Sequence, residues 1–395
     1  MNTAVRHTIA YADHAVETGG AEVSLSLLLH HLDRSRYRPI LFHAPAAEWL
    51  DGPFDLGDTQ LIEAFDDPAL LGTRREQIGR GLLANFGKIA RALWTVRRVR
   101  GLLVRVSADL VHTNTLKCHL LAGAAARMAG LPVVWHMRDI VSERGARAML
   151  RQAARIIRPT IIAVSRAVAQ SVADFGAPVE VIHNGLLLDD FAPGEPDPAL
   201  LDELGLAPTD RVLMITARIT PWKGHRELIR ALPAVLERFP DARLVVVGDV
   251  KFWAESYLDE LKSLADELGV AGAIRWAGHR HDVPALLRLC EVFVLPSRDE
   301  PFGRAIVEAM AVGKPVVAGK TGAVPEICPH GECGLLVDPE DPSEIAAALI
   351  ELLSNPARAR EMGERGHQRA HTLFDAAATA QKVQALYERI LSSRP

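Results

Sequence analysis

Along most of the chain, short runs rich in Val, Ile and Leu alternate with stretches whose apolar positions recur every three or four residues. Such alternation marks β-α units built on parallel strands, and runs without strict polar alternation are expected where helices cover both faces of a sheet. The pattern predicts strands at Pro39–His43, Leu110–His112, Val133–His136, Ile161–Val164 and Val179–Ile182. A second series follows at Arg211–Thr216, Arg243–Val247, Ile274–Ala277, Val292–Leu295 and Pro315–Ala318. Between the two, Leu186–Asp210 contains Pro193, Pro196, Pro198 and Pro208 and reads as a linker enclosing a short helix. The expected fold class is α/β: two Rossmann-like, doubly wound parallel-sheet domains, 1–188 and 189–372, facing a central cleft, followed by a C-terminal helix in 373–395. In sheets of this kind ligands bind beyond the carboxyl ends of the strands, so the residues just after each strand are the candidates for chemistry.

Composition narrows the partners. With 395 residues, 49% hydrophobic and 24% charged, the chain has material for two packed domains. Its formal charge of -4 argues against a globally basic nucleic-acid binder. Cys118, Cys290, Cys328 and Cys333 are too few for a disulfide framework and lack paired metal spacing, which fits a reducing cytoplasm. The start, Met1–Ala10, lacks the apolar core of a signal peptide, and no uncharged apolar run approaches the roughly 18 residues of a membrane span. A cytoplasmic location is expected, with attachment to the inner face of the membrane left open. The first 190 residues hold 22 basic and 19 acidic side chains, net +3, while the remainder holds 23 and 30, net -7. Most of that positive charge lies in Arg74–Arg105, where nine cations face Glu76. On a helix starting near Lys88, Ile89, Ala92, Leu93, Val96, Val99 and Leu103 share one face, and Arg91, Trp94, Arg98 and Arg105 the opposite one. Two readings follow: the solvated back of a core-facing helix, or a surface in which Arg91, Arg98 and Arg105 meet anionic lipid or an anionic acceptor.

Four stretches carry candidate chemistry. Gly19-Gly20 precedes a helix with Val23, Leu27 and Leu28 inward, and serves either as a tight turn or as an opening through which an anion reaches helix N-terminal amides. After the strand ending at Thr216, Arg218 and Lys223 stand in a loop before a helix with Leu228, Ile229 and Leu232 inward. They are either two solvated cations or a pair converging on a diphosphate. After Leu295 an acidic loop leads to Gly303 and a helix through Ala305, Ile306, Ala309 and Met310. Glu300 and Glu308 flank that helix mouth; carboxylates suit sugar hydroxyls, while Glu300 also suits a helix-dipole role. His136 ends its strand, followed by Arg138 and Asp139, and His112 and Asn114 hold the equivalent place one strand earlier. A strand-end His is either a structural hydrogen-bonder or a ligand contact. Patterns for P-loops, zinc proteases and serine hydrolases are missing, as is the dinucleotide fingerprint of an NAD-dependent oxidoreductase.

Taken in order, Gly19-Gly20, His136, Asn184-Gly185, Arg218 with Lys223, and Glu300 with Glu308 resemble the large retaining glycosyltransferase family 4. The likeness extends over nearly the whole chain, weakly from Tyr11 to Ser107 and strongly from Asp210 to Leu353. It implies the GT-B fold, with an acceptor-side first domain, a nucleotide-sugar-binding second domain, and a last helix, with Ala377, Val383, Leu386 and Ile390 on its apolar face, capping the first domain.

The resemblance also implies roles. Arg218 and Lys223 would hold the diphosphate and stabilise the leaving nucleotide, and Glu308 would accept from the ribose hydroxyls. Glu300, with the backbone of Pro301, Phe302 and Gly303, would bind the donor sugar and distal phosphate. His136 would contact the transferred sugar, with Gly19, Gly20 and Asn184 on the donor as well. No metal or other cofactor is implied, the nucleotide-sugar being a co-substrate. The implied partners are that donor and a glycan, glycolipid or small-molecule acceptor, with no nucleic acid. Lys320 and Ala323 depart from the small residues and second Gly usual in the family, which bears on donor selection. A nucleotide-sugar epimerase on the same fold and a non-catalytic nucleotide-sugar-binding protein are the alternatives.

Overall fold

The computed structural model describes residues 6–52, 55–67, 82–250 and 256–393, with their side chains except those of 82–86 and 88. Two compact units emerge, Met1–Gly185 with Ala376–Pro395, and Leu186–Asp375. The first is built on a seven-stranded parallel sheet. Its strands are β1 (His7–Ala12), β2 (Tyr37–His43), β3 (Gln60–Glu63), β4 (Leu110–Thr113), β5 (Val133–Met137), β6 (Thr160–Ala163) and β7 (Val179–Val181). They lie in the order β3-β2-β1-β4-β5-β6-β7. The second unit holds β8 (Arg211–Thr216), β9 (Ala242–Val247), β10 (Ile274–Gly278), β11 (Val292–Leu295), β12 (Val316–Gly319) and β13 (Gly334–Val337). Their order is β10-β9-β8-β11-β12-β13. In each sheet the winding reverses once, between β1 and β4 and between β8 and β11. A crevice opens at such a reversal because the connecting helices leave toward opposite faces.

The ten anticipated strands are present within a residue or two, whereas β1, β3 and β13 were not anticipated. Their sequences explain why. β1, HTIAYA, mixes Thr, Ala and Tyr with a single Ile although five of its six residues are buried. β3 is a short edge strand with exposed ends. β13 begins at Gly334, where a Cβ would stand 2.2 Å from the carbonyl oxygen of Val316, so the pairing with β12 requires a residue that weakens the strand signal.

In the first unit the core joins Ile9, Tyr11, Leu25, Leu29, Leu41, Leu110, Val134 and Ile162 to Val383, Leu386 and Tyr387 of the final helix, Ala376–Ser392. That helix packs on Gly20–His30. Each fully buried aliphatic side chain contributes on the order of 1.5–3 kcal/mol, enough to seat the last helix firmly in this unit. In the second unit the chain enters and leaves side by side, with Leu186 N–H donating to the Phe374 carbonyl at 2.8 Å. The proline-rich stretch after Leu186 is not a free tether, because Leu200, Leu204 and Leu206 are buried around the short helix Pro198–Glu203.

The basic helix spans Leu82–Arg105 and departs from the expected face. Thr95, Val96, Val99 and Leu103 are buried, but Ile89 and Leu93 are 54% and 50% exposed. The helix packs on Leu116–Met128, and among its described side chains the buried ones begin at Thr95. The positions 74–81 of the basic run lie outside the described residues.

Candidate functional site

At the reversal in the first sheet, Asp13 follows β1 and Asn114 follows β4. Asn114 Nδ2 donates to Asp13 Oδ2 at 2.6 Å, and the Ala15 N–H donates to Oδ1 at 2.8 Å. Asp13 is fully buried, and burial raises its pKa to about 7, with the nearby Glu22 charge adding to the rise. Burial also raises the Glu22 carboxyl, opposed by Arg138. Gly19 is the N-cap of Gly20–His30 in ordinary extended conformation, φ -137° and ψ -179°. What the site takes from Gly19 is proximity, since a Cβ there would come within 2.8 Å of Glu22 Oε2.

Arg138 is the hub. Its Nε donates to Asn114 Oδ1 at 2.6 Å and its Nη1 to Asn184 Oδ1 at 2.5 Å, while Nη2 lies 3.3 Å from His136 Nδ1. His136, at the end of β5, is 3% exposed, and its Nε2 has no partner within the protein. Burial first, and Arg138 next, hold the imidazoles of His136 and His112 well below the ordinary histidine pKa, so both are neutral at physiological pH. Ser24, Leu28, Asn184 and Thr379 join His136 and Arg138 around a small cavity.

At the reversal in the second sheet the groups are ionic. Arg218 follows β8 and is exposed. Lys223 Nζ pairs with Glu300 Oε1, bringing the loop after β8 to the loop after β11. Glu300 is 5% exposed, so this lysine spares it the cost of an uncompensated buried charge. Two glycines allow the loops to close. Gly224 has φ +77° and a Cβ there would stand 2.1 Å from the Pro296 carbonyl oxygen; Gly322 has φ +59° and would meet the Glu300 carbonyl oxygen at 2.4 Å. Gly303, at φ +85°, is the buried N-cap of Arg304–Ala311 and supplies no side-chain cap to that helix. Pro301 sits before it, and Phe302 turns its ring into the core against Phe374 at 5.5 Å. Glu308 accepts from Arg304 Nη2 at 3.4 Å, and burial raises its pKa. Lys320 pairs with Asp338 and Glu344 at 3.8 and 3.5 Å.

The predicted residues thus fall into two groups: Gly19, Gly20, His136 and Asn184 in the first unit, Arg218, Lys223, Glu300, Pro301, Phe302, Gly303 and Glu308 in the second. Two of the three surface arginines carry ion pairs. Arg91 pairs with Asp67 at 3.2 Å and Arg98 with Asp66 at 2.5 Å, so neither is a bare cation; both acids lie outside the run in which the charges were counted. Arg105 is exposed, as are Arg97 and Arg100 beside Leu93, Trp94 and Val104. Sequence reasoning passed over Asp13 and Glu22, and named Asn114 and Arg138 without a role. Asp13 directly follows the strand that went unrecognised, and Arg138 stands two residues beyond His136. Among the described residues no group of three or more His, Cys, Asp or Glu is arranged to hold a metal ion, and no helix is long and apolar enough to cross a membrane.

Two family models match the chain: Glycosyltransferase Family 4 over residues 18–190 and Glycosyl transferases group 1 over residues 197–369. The D-inositol 3-phosphate glycosyltransferase of Corynebacterium glutamicum is 34% identical over 194 residues, covering 48% of this chain and 46% of that protein. A GDP-mannose-dependent alpha-(1-6)-phosphatidylinositol monomannoside mannosyltransferase of Mycobacterium tuberculosis is 33% identical over 268 residues, 63% of this chain and 66% of that protein. The chain therefore spans about half to two thirds of the length of these curated relatives. Among solved structures, Anabaena Alr3699/HepE in complex with UDP and glucose superposes with a TM-score of 0.81 at 26% identity, covering 98% of this chain and 99% of that one.

Proposed function

Because the chain belongs to the family 4 glycosyltransferases, also described as glycosyl transferases group 1, we propose that it moves a sugar from a nucleotide-diphosphate-sugar to a hydroxyl acceptor, with retention and without a metal ion. The observation that carries this reading is the meeting of Lys223 and Glu300 at the reversal of the second sheet, with Arg218 on the same loop as Lys223 and the helix that Gly303 caps on the same loop as Glu300.

The chemistry asks for such a set. As the bond from the sugar to the leaving phosphate breaks, positive character grows on the sugar and negative charge on the diphosphate. Cations that tighten onto that charge lower the barrier. Arg218 and Lys223 supply it, each charge-assisted hydrogen bond worth on the order of 1.5–3 kcal/mol. In the free protein Lys223 and Glu300 neutralise one another. With donor bound, the phosphate takes the lysine, while Glu300 and the amides at Pro301–Gly303 take sugar hydroxyls and distal phosphate. Glu308 accepts from the ribose, and within the first unit His136, Gly20 and Asn184 are suited to sugar hydroxyls. The acceptor hydroxyl attacks on the face the nucleotide leaves, and its proton passes to the leaving phosphate oxygen. The acceptor is a glycan, glycolipid or small molecule. Contact with an anionic bilayer falls to the exposed arginines Arg97, Arg100 and Arg105 of the basic helix, set among Ile89, Leu93 and Trp94.

Turnover of UDP-glucose and GDP-mannose, the donors suggested by the relatives, tests the assignment. Lys223→Ala and Glu300→Ala should each lower it by about a hundredfold or more while circular dichroism stays unchanged. Full activity in both variants, or no turnover of any nucleotide-sugar by the native protein, would sink the reading.

A further inference from the structure

The final helix reaches the candidate site through a line of hydrogen bonds. Tyr387 Oη lies 3.3 Å from Tyr11 Oη and 2.7 Å from His112 Nδ1; His112 Nε2 lies 3.1 Å from His136 Nδ1. All four side chains are buried, so the protons they share are placed by one another and not by solvent. The line can run in only two directions. In one, Tyr387 donates to His112 Nδ1, His112 Nε2–H donates to His136 Nδ1, and His136 carries its proton on Nε2. In the other every bond is reversed, and His136 carries its proton on Nδ1.

Arg138 favours the first, and the bond from Tyr387 to His112 holds the line in that direction. A guanidinium has donors and no lone pair to offer, and its Nη2 lies 3.3 Å from the same His136 Nδ1. A proton on Nδ1 would face that donor, whereas a lone pair on Nδ1 accepts from both Arg138 and His112. We infer that Tyr387, acting through His112, is a positioning residue that fixes His136 as the Nε2–H tautomer, making it a hydrogen-bond donor to an oxygen of the transferred sugar and not a base. Within this line His136 Nε2 is the ring nitrogen that has no partner, the place a donor to a ligand is needed. Naming that ligand a sugar rests on the glycosyltransferase reading; the tautomer does not. Tyr387 thereby gives the last helix a second task beyond closing the core, and no local sequence signal links it to residues 275 positions away.

The test is nitrogen NMR of the full chain labelled with 15N-histidine, His136 being identified by the signals lost in His136→Gln. The native protein should show His136 protonated at Nε2 and unprotonated at Nδ1. Tyr387→Phe keeps the ring and its packing while removing the donor. In it the Nδ1-protonated form of His136 should appear, and kcat for the nucleotide-sugar should fall roughly tenfold with KM nearly unchanged. An Nδ1-protonated His136 in the native protein overturns the inference, as does a Tyr387→Phe variant with unaltered ring-nitrogen shifts. The expected tautomers without turnover of any nucleotide-sugar would uphold the positioning line and overturn the glycosyltransferase reading instead.

Discussion

The two sheet reversals solve one problem with different chemistry. At β1 and β4 the buried groups are kept neutral or shared: two imidazoles held uncharged, carboxyls whose pKa burial raises, and one guanidinium spread over Asn114, Asn184 and His136. At β8 and β11 a lysine and a glutamate meet as ions, and glycines with positive φ hold the loops that carry them. Neutral donors and acceptors suit hydroxyl groups, while a lysine and a guanidinium suit anionic groups. The difference separates a neutral polar cluster in the first unit from an ionic one in the second.

Glycine replacement should separate the two most strongly. At Gly224 a methyl group would meet a backbone carbonyl at 2.1 Å in a left-handed conformation, and neither can give way cheaply. Gly224→Ala should cost about 3 kcal/mol or more, read as a lowered urea midpoint. Gly19→Ala meets only the end of the Glu22 side chain in extended backbone, and should cost less than about 1 kcal/mol. Equal losses would erase the contrast between a backbone-locked and a side-chain-lined entrance.

The pH dependence of stability should come next in size. Asp13 has a folded pKa raised to about 7, above its ordinary value of 3.8, so its contribution is fully present below the lower value and is lost as pH rises through the upper one. Native stability should therefore fall between these limits more steeply than that of Asp13→Asn, by up to about 1.4 kcal/mol per pH unit. The substitution also disturbs the bond from Asn114, but that loss does not vary with pH. The difference between the two proteins, measured by urea unfolding at several pH values, carries the answer. A flat difference across that window would show the first reversal to be no more neutral than the second.

What the sequence disclosed follows the same division. Strands of Val, Ile and Leu buried on both faces announce themselves, so β8 and β11 were legible to the residue, and with them the loops bearing Arg218, Lys223 and Glu300. The first reversal depends on β1, whose small and polar residues hid it, and Asp13 was hidden with it. Arg138 was visible beside His136, but its role comes from Asn114 and Asn184, contributed by two other strand ends. Tyr387 is further still along the chain. Counting charges within 74–105 overlooked Asp66 and Asp67, because pairing across a fold ignores the window in which charges are counted.

That oversight leads to the smallest expected effect on stability, and to a clean partition of the basic helix. Arg97, Arg100 and Arg105 are exposed with no carboxylate paired to them among the described residues, whereas Arg91 and Arg98 are tied to Asp67 and Asp66. Replacing Arg97, Arg100 and Arg105 by Ser should change the unfolding free energy by no more than about 0.5 kcal/mol. A cation near an anionic surface is worth about 1 kcal/mol, so the triple variant should bind vesicles containing phosphatidylserine about a hundredfold more weakly than the native chain. Replacing Arg91 and Arg98 should do the reverse, leaving vesicle binding nearly intact and costing up to about 1 kcal/mol of stability for each lost pair. Raising the salt should weaken native binding, since such attractions are screened over about 10 Å at 0.1 M. Co-sedimentation that is unchanged in the triple variant would make the exposed face a solvated helix back, and would return the net positive charge of the first unit to its own acids.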